Sequence, residues 1–160
     1  MEQLWAAWRA GYVSGTTETT EGCVFCSLGD GHQSELVVEQ SALTVTALNL
    51  YPYSSGHLLV CPKRHTPDLV SLTIDESAAV MAAAQRAVRV LTETLSPSGF
   101  NIGVNQGSAS GASIDHFHLH VVPRWHGDTN FMPVIGQTKV IPVDLADLGT
   151  QLREKLAELV

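Results

Sequence analysis

Three histidines occupy alternate positions in the sequence HFHLHVV, residues 116–122. Side chains at every second position of a β-strand point to the same face, about 6.6 Å apart along the strand. The pattern therefore predicts a strand over residues 116–122, ended by Pro123, with His116, His118 and His120 on one face and the apolar residues between them on the core face. Neutral imidazole is abundant near pH 7 and can attack phosphorus or bind a metal ion. The histidines could therefore supply a nucleophile or hold a catalytic zinc ion, and the pattern alone does not distinguish these two roles.

A loop of small residues precedes the histidines. Residues 105–113 have the sequence NQGSASGAS. A loop of this composition can bring backbone N–H groups and hydroxyls close to an anion. It is not a Walker loop, because it lacks the lysine. Next to a face of histidines, the loop indicates a phosphate site and so favours attack on phosphorus over a catalytic metal.

A C-x-x-C motif is formed by Cys23 and Cys26, whereas Cys61 lies alone in an apolar run. Three cysteines in a chain with no recognisable export signal favour thiols or metal ligands over disulfides. Two thiolates can share one tetrahedral ion, which then needs two more ligands. One alternative is a free motif that packs as small hydrophobic side chains. A redox pair is disfavoured, because no strand leads into the motif and no helix clearly follows it.

Five strands and three helices are predicted around these motifs. The strands are expected at residues 35–40, 43–48, 57–62, 100–105 and 116–122, and the helices at residues 2–13, 73–95 and 143–159. Thr73 and Glu76 form a capping box for the middle helix. A seven-residue repeat of Ile74, Met81, Val88 and Leu95 predicts its buried stripe, which Ala84 and Leu91 are expected to fill. Successive strands with short links predict an antiparallel sheet carrying helices, an α+β fold.

Length and composition limit the classes of function. The chain has 160 residues, 44% hydrophobic and 16% charged, which fits one globular domain. Its net charge of −7 disfavours broad binding to nucleic acid, although one pocket can still be locally positive. No apolar run approaches the roughly 20 residues of a membrane span. The amphipathic N-terminus lacks the features of a signal peptide, so a cytoplasmic protein without membrane contact is expected.

The segment HFHLHVV resembles the signature of the histidine triad (HIT) family, in which histidines alternate with apolar residues. The segments ALNLYPYSSGHLLVCPKRH and GVNQGSASGAS follow that family's order, and QLWAAWRAGYV, HVVPRW and GDTNF are similar to an actinobacterial branch that includes a diadenosine tetraphosphate phosphorylase. The resemblance implies a HIT-like fold, a five-stranded antiparallel sheet with a long helix and added N-terminal and C-terminal helices. It also implies a single domain, with an N-terminal helix and cysteine knuckle (1–34), a core (35–125) and a C-terminal extension (126–160).

The resemblance implies catalytic roles for three histidines. His118 matches the family's nucleophile, which attacks the α-phosphorus and forms a nucleotidyl-histidine intermediate that water or inorganic phosphate then cleaves. His120 matches a residue that helps to bind phosphate and assists the leaving group. His57 matches an active-site histidine that supports the nucleophile.

The resemblance also implies a nucleotide-binding set. Asn49 matches the position that holds the ribose hydroxyls, and Asn105, Gly111 and Ser113 match positions that contact the phosphates. Many triad hydrolases have Gln where this chain has Ala112, so the phosphate contacts differ in detail. Tyr51 and Tyr53 suit either stacking on a base or packing at a dimer edge.

A structural zinc site and a homodimer are the last implications of the resemblance. In zinc-containing triad proteins, the ligands match Cys23, Cys26, His65 and His116. Four protein ligands leave no open position, so this zinc would stabilise the fold without catalysing the reaction. The family forms homodimers with a sheet that continues across both subunits.

The sequence therefore predicts an enzyme that acts on dinucleoside polyphosphates through a nucleotidyl-histidine, with phosphorolysis of diadenosine tetraphosphate preferred over hydrolysis. One alternative is a nucleoside phosphoramidase that releases AMP and an amine. A non-catalytic nucleotide-binding protein is a second, and a metallo-hydrolase with the triad as zinc ligands is a third.

Overall fold

A computed structural model describes residues 22–31, 34–128 and 143–159. Its elements, in chain order, are α1 (Val24–Gly29), β1 (Val37–Gln40), β2 (Thr44–Leu48), β3 (Leu58–Pro62), α2 (Ile74–Leu95), β4 (Gly99–Val104), a 3₁₀ turn (Ser108–Ser110), β5 (Leu119–Arg124) and α3 (Leu145–Glu158). The helix predicted over residues 2–13 lies outside the described residues.

The five strands form one antiparallel sheet in the order β1-β2-β3-β5-β4. Helices α2 and α3 pack against one face and bury the main core, which includes Leu58, Val121 and Leu152. Helix α1 contacts β2, and its Phe25 joins a second, smaller cluster with Val45. The predicted α+β class and the five-stranded antiparallel sheet are confirmed.

The strand that carries the histidines begins and ends later than predicted. β5 starts at Leu119, so two of the three histidines precede it, and it continues through Pro123. The carbonyl oxygen of Pro123 accepts a hydrogen bond from Ser54 Oγ (2.7 Å). In an antiparallel ladder, the N–H and C=O of one residue point to the same neighbour. On that side the pairing with β3 has already ended at Leu58, so the missing N–H of proline removes no ladder bond.

Helix α2 begins as predicted, because Thr73 and Glu76 form the reciprocal capping box. The buried stripe, however, differs from the predicted seven-residue repeat. Ile74 is 88% exposed and Met81 is 56% exposed, whereas the buried apolar residues are Val80, Ala83, Ala84, Ala87, Val90 and Leu91. Three of these six are alanines, which allow the helix to lie close to the sheet. Ala84 and Leu91 are buried as predicted, and Val88 and Leu95 pack half-buried against the core, so the prediction was wrong for Ile74 and Met81.

Helix α3 supports the same core from the C-terminal end. Asp144 caps it by accepting hydrogen bonds from the N–H groups of Ala146 (2.8 Å) and Asp147 (3.2 Å). Leu148, Leu152 and Leu156 form its buried stripe. Among the helices that the structure describes, none is long and apolar enough to cross a membrane.

Candidate functional site

All three triad histidines are buried, and the residue between the first two points to the other side of the chain. Phe117 lies in the main core, and its N–H donates to the carbonyl of Thr66 (2.6 Å). His116 and His118 contact the ring of Phe25 on the opposite side. The predicted separation of polar and apolar faces is therefore present, even though residues 116–118 lie outside the strand.

His118 has the tautomer that a nucleophile needs. Its Nδ1 lies 2.7 Å from the carbonyl oxygen of His116. A carbonyl only accepts hydrogen bonds, so Nδ1 carries the proton and Nε2 keeps the lone pair. Burial lowers the pKa of His118, which favours the neutral ring at pH 7. The side chain can thus attack an electrophile through Nε2.

Phe25, which the sequence did not single out, packs directly on the nucleophile candidate. The ring centroids of Phe25 and His118 are 5.1 Å apart at an interplanar angle of 40°, and Phe25 also meets His116 edge-on. Both Phe25 and His118 are buried. One feature of the sequence could have indicated this contact. Phe25 lies inside the C-x-x-C motif, so it must lie close to the site where the two cysteines are held.

His57 and His120 form a directly hydrogen-bonded pair. His57 Nε2 lies 2.9 Å from His120 Nδ1, and His57 is fully buried. The ring of Tyr53 covers both, with centroids 4.7 Å from His57 and 5.9 Å from His120. The rings of His118 and His120 meet edge-on, with centroids 4.9 Å apart. Three of the predicted site histidines therefore form one contiguous group, and Tyr53 is part of it.

Asn49 closes the turn beside His57. Its Oδ1 accepts a hydrogen bond from the N–H of Tyr51 (2.9 Å), and its Nδ2 lies 3.3 Å from His57 Nδ1. The N–H of Tyr53 donates to the same nitrogen of His57 (3.1 Å). The residue expected to contact the ribose thus lies next to the histidine pair and is hydrogen-bonded to it.

The small-residue loop leaves the sheet beside the triad. Val104 at the end of β4 is opposite Leu119, so Asn105 begins the loop next to His118. Gly107 and Gly111 flank the 3₁₀ turn with positive φ, a conformation that favours glycine. Gln106 Oε1 accepts the N–H of Leu69 (2.9 Å) and anchors the loop to the segment after β3. Asn105 and Gly111 are half-buried and Ser113 is exposed.

The predicted metal ligands come together in one cluster. The ligand atoms of Cys23, Cys26, His65 and His116 all lie within 4.8 Å of one another. Cys23 Sγ is 3.3 Å from His116 Nδ1, and Cys26 Sγ is 3.3 Å from His65 Nδ1. Two sulfur and two nitrogen donors match a tetrahedral zinc site.

The tautomer of His116 also fits a metal. Its Nε2 lies 2.9 Å from the carbonyl oxygen of Pro62, so Nε2 carries the proton and Nδ1 turns a lone pair toward the thiols. Burial lowers the pKa of His116, which favours the neutral form that ligation requires. The group therefore suits zinc in donor type, number and protonation.

Sequence comparisons agree with this geometry. The family model of the HIT domain matches residues 30–127, which is more than half of the chain. The chain belongs to the HIT family. It is 40% identical over 156 residues to the AP-4-A phosphorylase of Mycobacterium tuberculosis, covering 92% of this chain and 80% of that protein. It is also 34% identical to an uncharacterized HIT-like protein of Mycoplasma genitalium, over 71% of this chain and 80% of the relative.

Solved structures of HIT proteins have the same fold. A Zn-bound histidine triad family protein from Mycobacterium smegmatis superposes with a TM-score of 0.72 at 34% identity, covering 86% of this chain and 95% of that chain. A hypothetical histidine triad nucleotide-binding protein from Sulfolobus tokodaii gives a TM-score of 0.72 at 25% identity, over 86% and 93% of the two chains. The predicted family membership and HIT-like fold are confirmed.

Proposed function

We propose that this HIT protein is a nucleotidyl transferase that cleaves dinucleoside polyphosphates, with phosphorolysis of diadenosine tetraphosphate to ADP and ATP as its reaction. The observation that carries the proposal is the hydrogen bond from His118 Nδ1 to the His116 carbonyl, which leaves Nε2 as a neutral nucleophile. The similarity to the mycobacterial AP-4-A phosphorylase supports this choice of substrate and acceptor.

The proposed reaction has two displacements at phosphorus. His118 Nε2 forms a bond to the α-phosphorus, and the P–O bond to ATP breaks with its electron pair on the departing phosphate. Inorganic phosphate then attacks the adenylyl-histidine and releases ADP, while His118 returns to its neutral form. Phosphoryl-type transfer depends mainly on alignment and on stabilising charge, which neighbouring histidines and backbone N–H groups supply.

The surrounding residues take the remaining roles in this proposal. His120 contacts the phosphates and the leaving group, and His57 orients His120. Asn49 is proposed to bind the ribose hydroxyls. The loop residues Asn105, Gly111 and Ser113 supply polar groups to the polyphosphate. The chain itself is proposed to work in the cytoplasm.

We further propose that zinc occupies the Cys23, Cys26, His65 and His116 cluster as a structural ion. The ion would supply four bonds that tie α1 to the end of β3 and to the catalytic segment. All four coordination positions belong to the protein, so water activation plays no part in the proposal. A catalytic metal held by the triad is disfavoured, because His116 faces the thiols while His120 faces His57.

A homodimer completes the proposal, with β4 as the contact. β4 pairs with β5 on one side, and no strand of the described residues covers its other side. Ile102 (52% exposed) and Val104 (36% exposed) lie two residues apart on it and present apolar side chains to solvent. Pairing of two β4 strands would continue the sheet across both subunits and bury these side chains.

Product analysis tests the reaction. The enzyme is incubated with diadenosine tetraphosphate, with and without phosphate, and in parallel with adenosine 5′-phosphoramidate. ADP plus ATP formed only with phosphate supports phosphorolysis, whereas AMP plus ATP identifies hydrolysis and rapid AMP release from the phosphoramidate identifies the alternative enzyme.

Trapping the intermediate tests the nucleophile. Adenine-labelled substrate should label the native chain and leave His118→Ala unlabelled. A protein that binds nucleotides without catalysis would not become labelled in either form. Prompt loss of activity on chelation with an intact fold would instead favour the metallo-hydrolase.

A further inference from the structure

Two hydrogen-bond donors converge on one nitrogen of His57. The N–H of Tyr53 lies 3.1 Å from His57 Nδ1, and Asn49 Nδ2 lies 3.3 Å from it. The Asn49 amide cannot be turned round, because its Oδ1 already accepts the N–H of Tyr51 (2.9 Å). His57 Nδ1 must therefore hold a lone pair, and the proton of the ring lies on Nε2.

This tautomer determines the state of His120. His57 Nε2–H points at His120 Nδ1 over 2.9 Å, so His120 Nδ1 accepts and its own proton lies on Nε2. A second proton on His57 would face two donors, and a proton on His120 Nδ1 would face the N–H of His57. Both forms of the charged pair place N–H groups against each other inside a buried site. The pair is accordingly held neutral, with the proton of His120 on Nε2.

We propose that Asn49 and the main chain of Tyr53 are positioning groups that hold the His57–His120 pair as a neutral donor, and that the enzyme therefore prefers leaving groups that depart as anions. This step rests on the proposed nucleotidyl transfer from His118. A phosphate leaving group takes the electron pair of the broken P–O bond and needs only a hydrogen bond from His120 Nε2–H. An amine leaving group must also gain a proton, which a neutral imidazole N–H gives up poorly.

If the His57–His120 pair is neutral, the enzyme should cleave phosphoanhydrides well and phosphoramidates poorly. This tautomer assignment also gives Asn49 a role in the free protein, before any ribose is bound. That role is separate from contact with substrate and can be measured without turnover.

The first test measures the histidine tautomers of the full native chain, free of substrate. Long-range ¹H–¹⁵N correlation spectra separate protonated from unprotonated ring nitrogens. We expect His57 and His120 to be neutral at pH 7, each protonated on Nε2. A proton on Nδ1 of His57, or a doubly protonated ring in either residue, would overturn the proposal whether or not the protein cleaves dinucleotides.

The second test uses Asn49→Asp to reverse the direction of the hydrogen bonds that run from Asn49 through His57 to His120. A carboxylate can still accept the N–H of Tyr51, but its other oxygen now faces His57 Nδ1 as an acceptor. Its negative charge favours a proton on Nδ1 against the one donor that remains there, the N–H of Tyr53. The pair can then carry a charge. The ratio of kcat/KM for adenosine 5′-phosphoramidate to that for diadenosine tetraphosphate should rise about tenfold or more, part of the roughly 10²–10⁴ that proton donation contributes.

Controls separate this role from folding and from ribose contact. Gln151→Glu makes the same amide-to-carboxylate change at an exposed position of α3 and should alter neither tautomers nor the ratio. Asn49→Ser removes the side-chain donor but keeps the Tyr53 N–H, so the native tautomers should persist. Reversed tautomers in Asn49→Asp with an unchanged ratio would refute the leaving-group preference. If the native enzyme cleaves neither substrate, the proposed function fails while the tautomer result stands by itself.

Discussion

The phenyl ring of Phe25 lies against the imidazole of His118, with their centroids 5.1 Å apart. Phe25 is held between Cys23 and Cys26, whose thiols face His116. The candidate metal cluster and the nucleophile candidate are therefore linked twice, through this ring and through the His116 carbonyl that accepts a hydrogen bond from His118 Nδ1. Both links restrict the orientation of one imidazole.

Shortening Phe25 should loosen that orientation. We expect Phe25→Leu to lower kcat by about tenfold to a hundredfold, because a misplacement of about 1 Å has effects of this size, while KM changes little. Steady-state kinetics with diadenosine tetraphosphate measure both constants. Phe100→Leu is the matched control, since Phe100 packs on the main core and its loss should reduce stability without reducing kcat. Equal effects of the two variants on kcat would contradict a positioning role for Phe25.

Removal of one thiol should affect stability more than chemistry. Cys23→Ser leaves three ligands, so zinc per chain should fall to near zero and the melting temperature by about 5 °C or more. Elemental analysis and calorimetry provide the measurements. Cys61→Ala serves as control, because Cys61 lies in the buried cluster beneath α1 and outside the four ligands. Native protein that contains no zinc and melts like Cys23→Ser would exclude the structural ion.

The ion pair of Arg64 and Glu76 predicts a dependence of stability on pH. Arg64 donates to both carboxylate oxygens (2.8 and 2.7 Å), and with the capping hydrogen bond it lowers the pKa of Glu76 from 4.5 to about 2. The folded-state pKa lies below the unfolded one, so the contribution is complete above about pH 4.5 and is lost as pH falls toward 2.

Glu76→Gln should therefore lower the free energy of unfolding by about 1–2 kcal/mol at pH 7 and by much less near pH 2.5. Urea unfolding of both proteins at each pH measures the difference. Glu154→Gln, at an exposed position of α3, should have little effect at either pH. A pH-independent difference for Glu76→Gln would show that the charge does not matter.

The proposed dimer makes a prediction about mass. Light scattering should give twice the 17.2 kDa of one chain for the native protein and a value near 17.2 kDa for Ile102→Lys, because a buried lysine at the β4 contact is costly. Val70→Lys changes a residue that is 89% exposed and lies outside β4, so it should remain dimeric. A native protein that is monomeric at high concentration would rule out the β4 contact.

The sequence was most informative where a residue type and its spacing both constrain the chemistry. The alternating histidines predicted a segment with one polar and one apolar face. The resemblance to HIT proteins predicted that His65 and His116 would lie beside the two cysteines. Local patterns also sufficed for the capping box, because Thr73 and Glu76 act within one turn of helix.

Tertiary contacts explain what the sequence did not predict. Pro123 stays in β5 because the pairing of the neighbouring strand ends beside it. The buried face of α2 is centred on its alanines, which leaves Ile74 and Met81 of the predicted stripe exposed. Phe25 and His118 are far apart in sequence, so their contact depends on how α1 folds over the sheet. Each of these features depends on contacts with a different segment of the chain, so the local sequence could not predict it.

His116 serves the site with two different parts of the residue. Its side chain faces the thiols, whereas its carbonyl, which any amino acid at that position supplies, accepts the hydrogen bond from His118 Nδ1. A chain that lacked the cysteines and the imidazole of His116 could therefore keep the same tautomer at position 118. The candidate metal ligands and the candidate nucleophile depend on different atoms of one residue, so either feature could be lost in a related protein without the other.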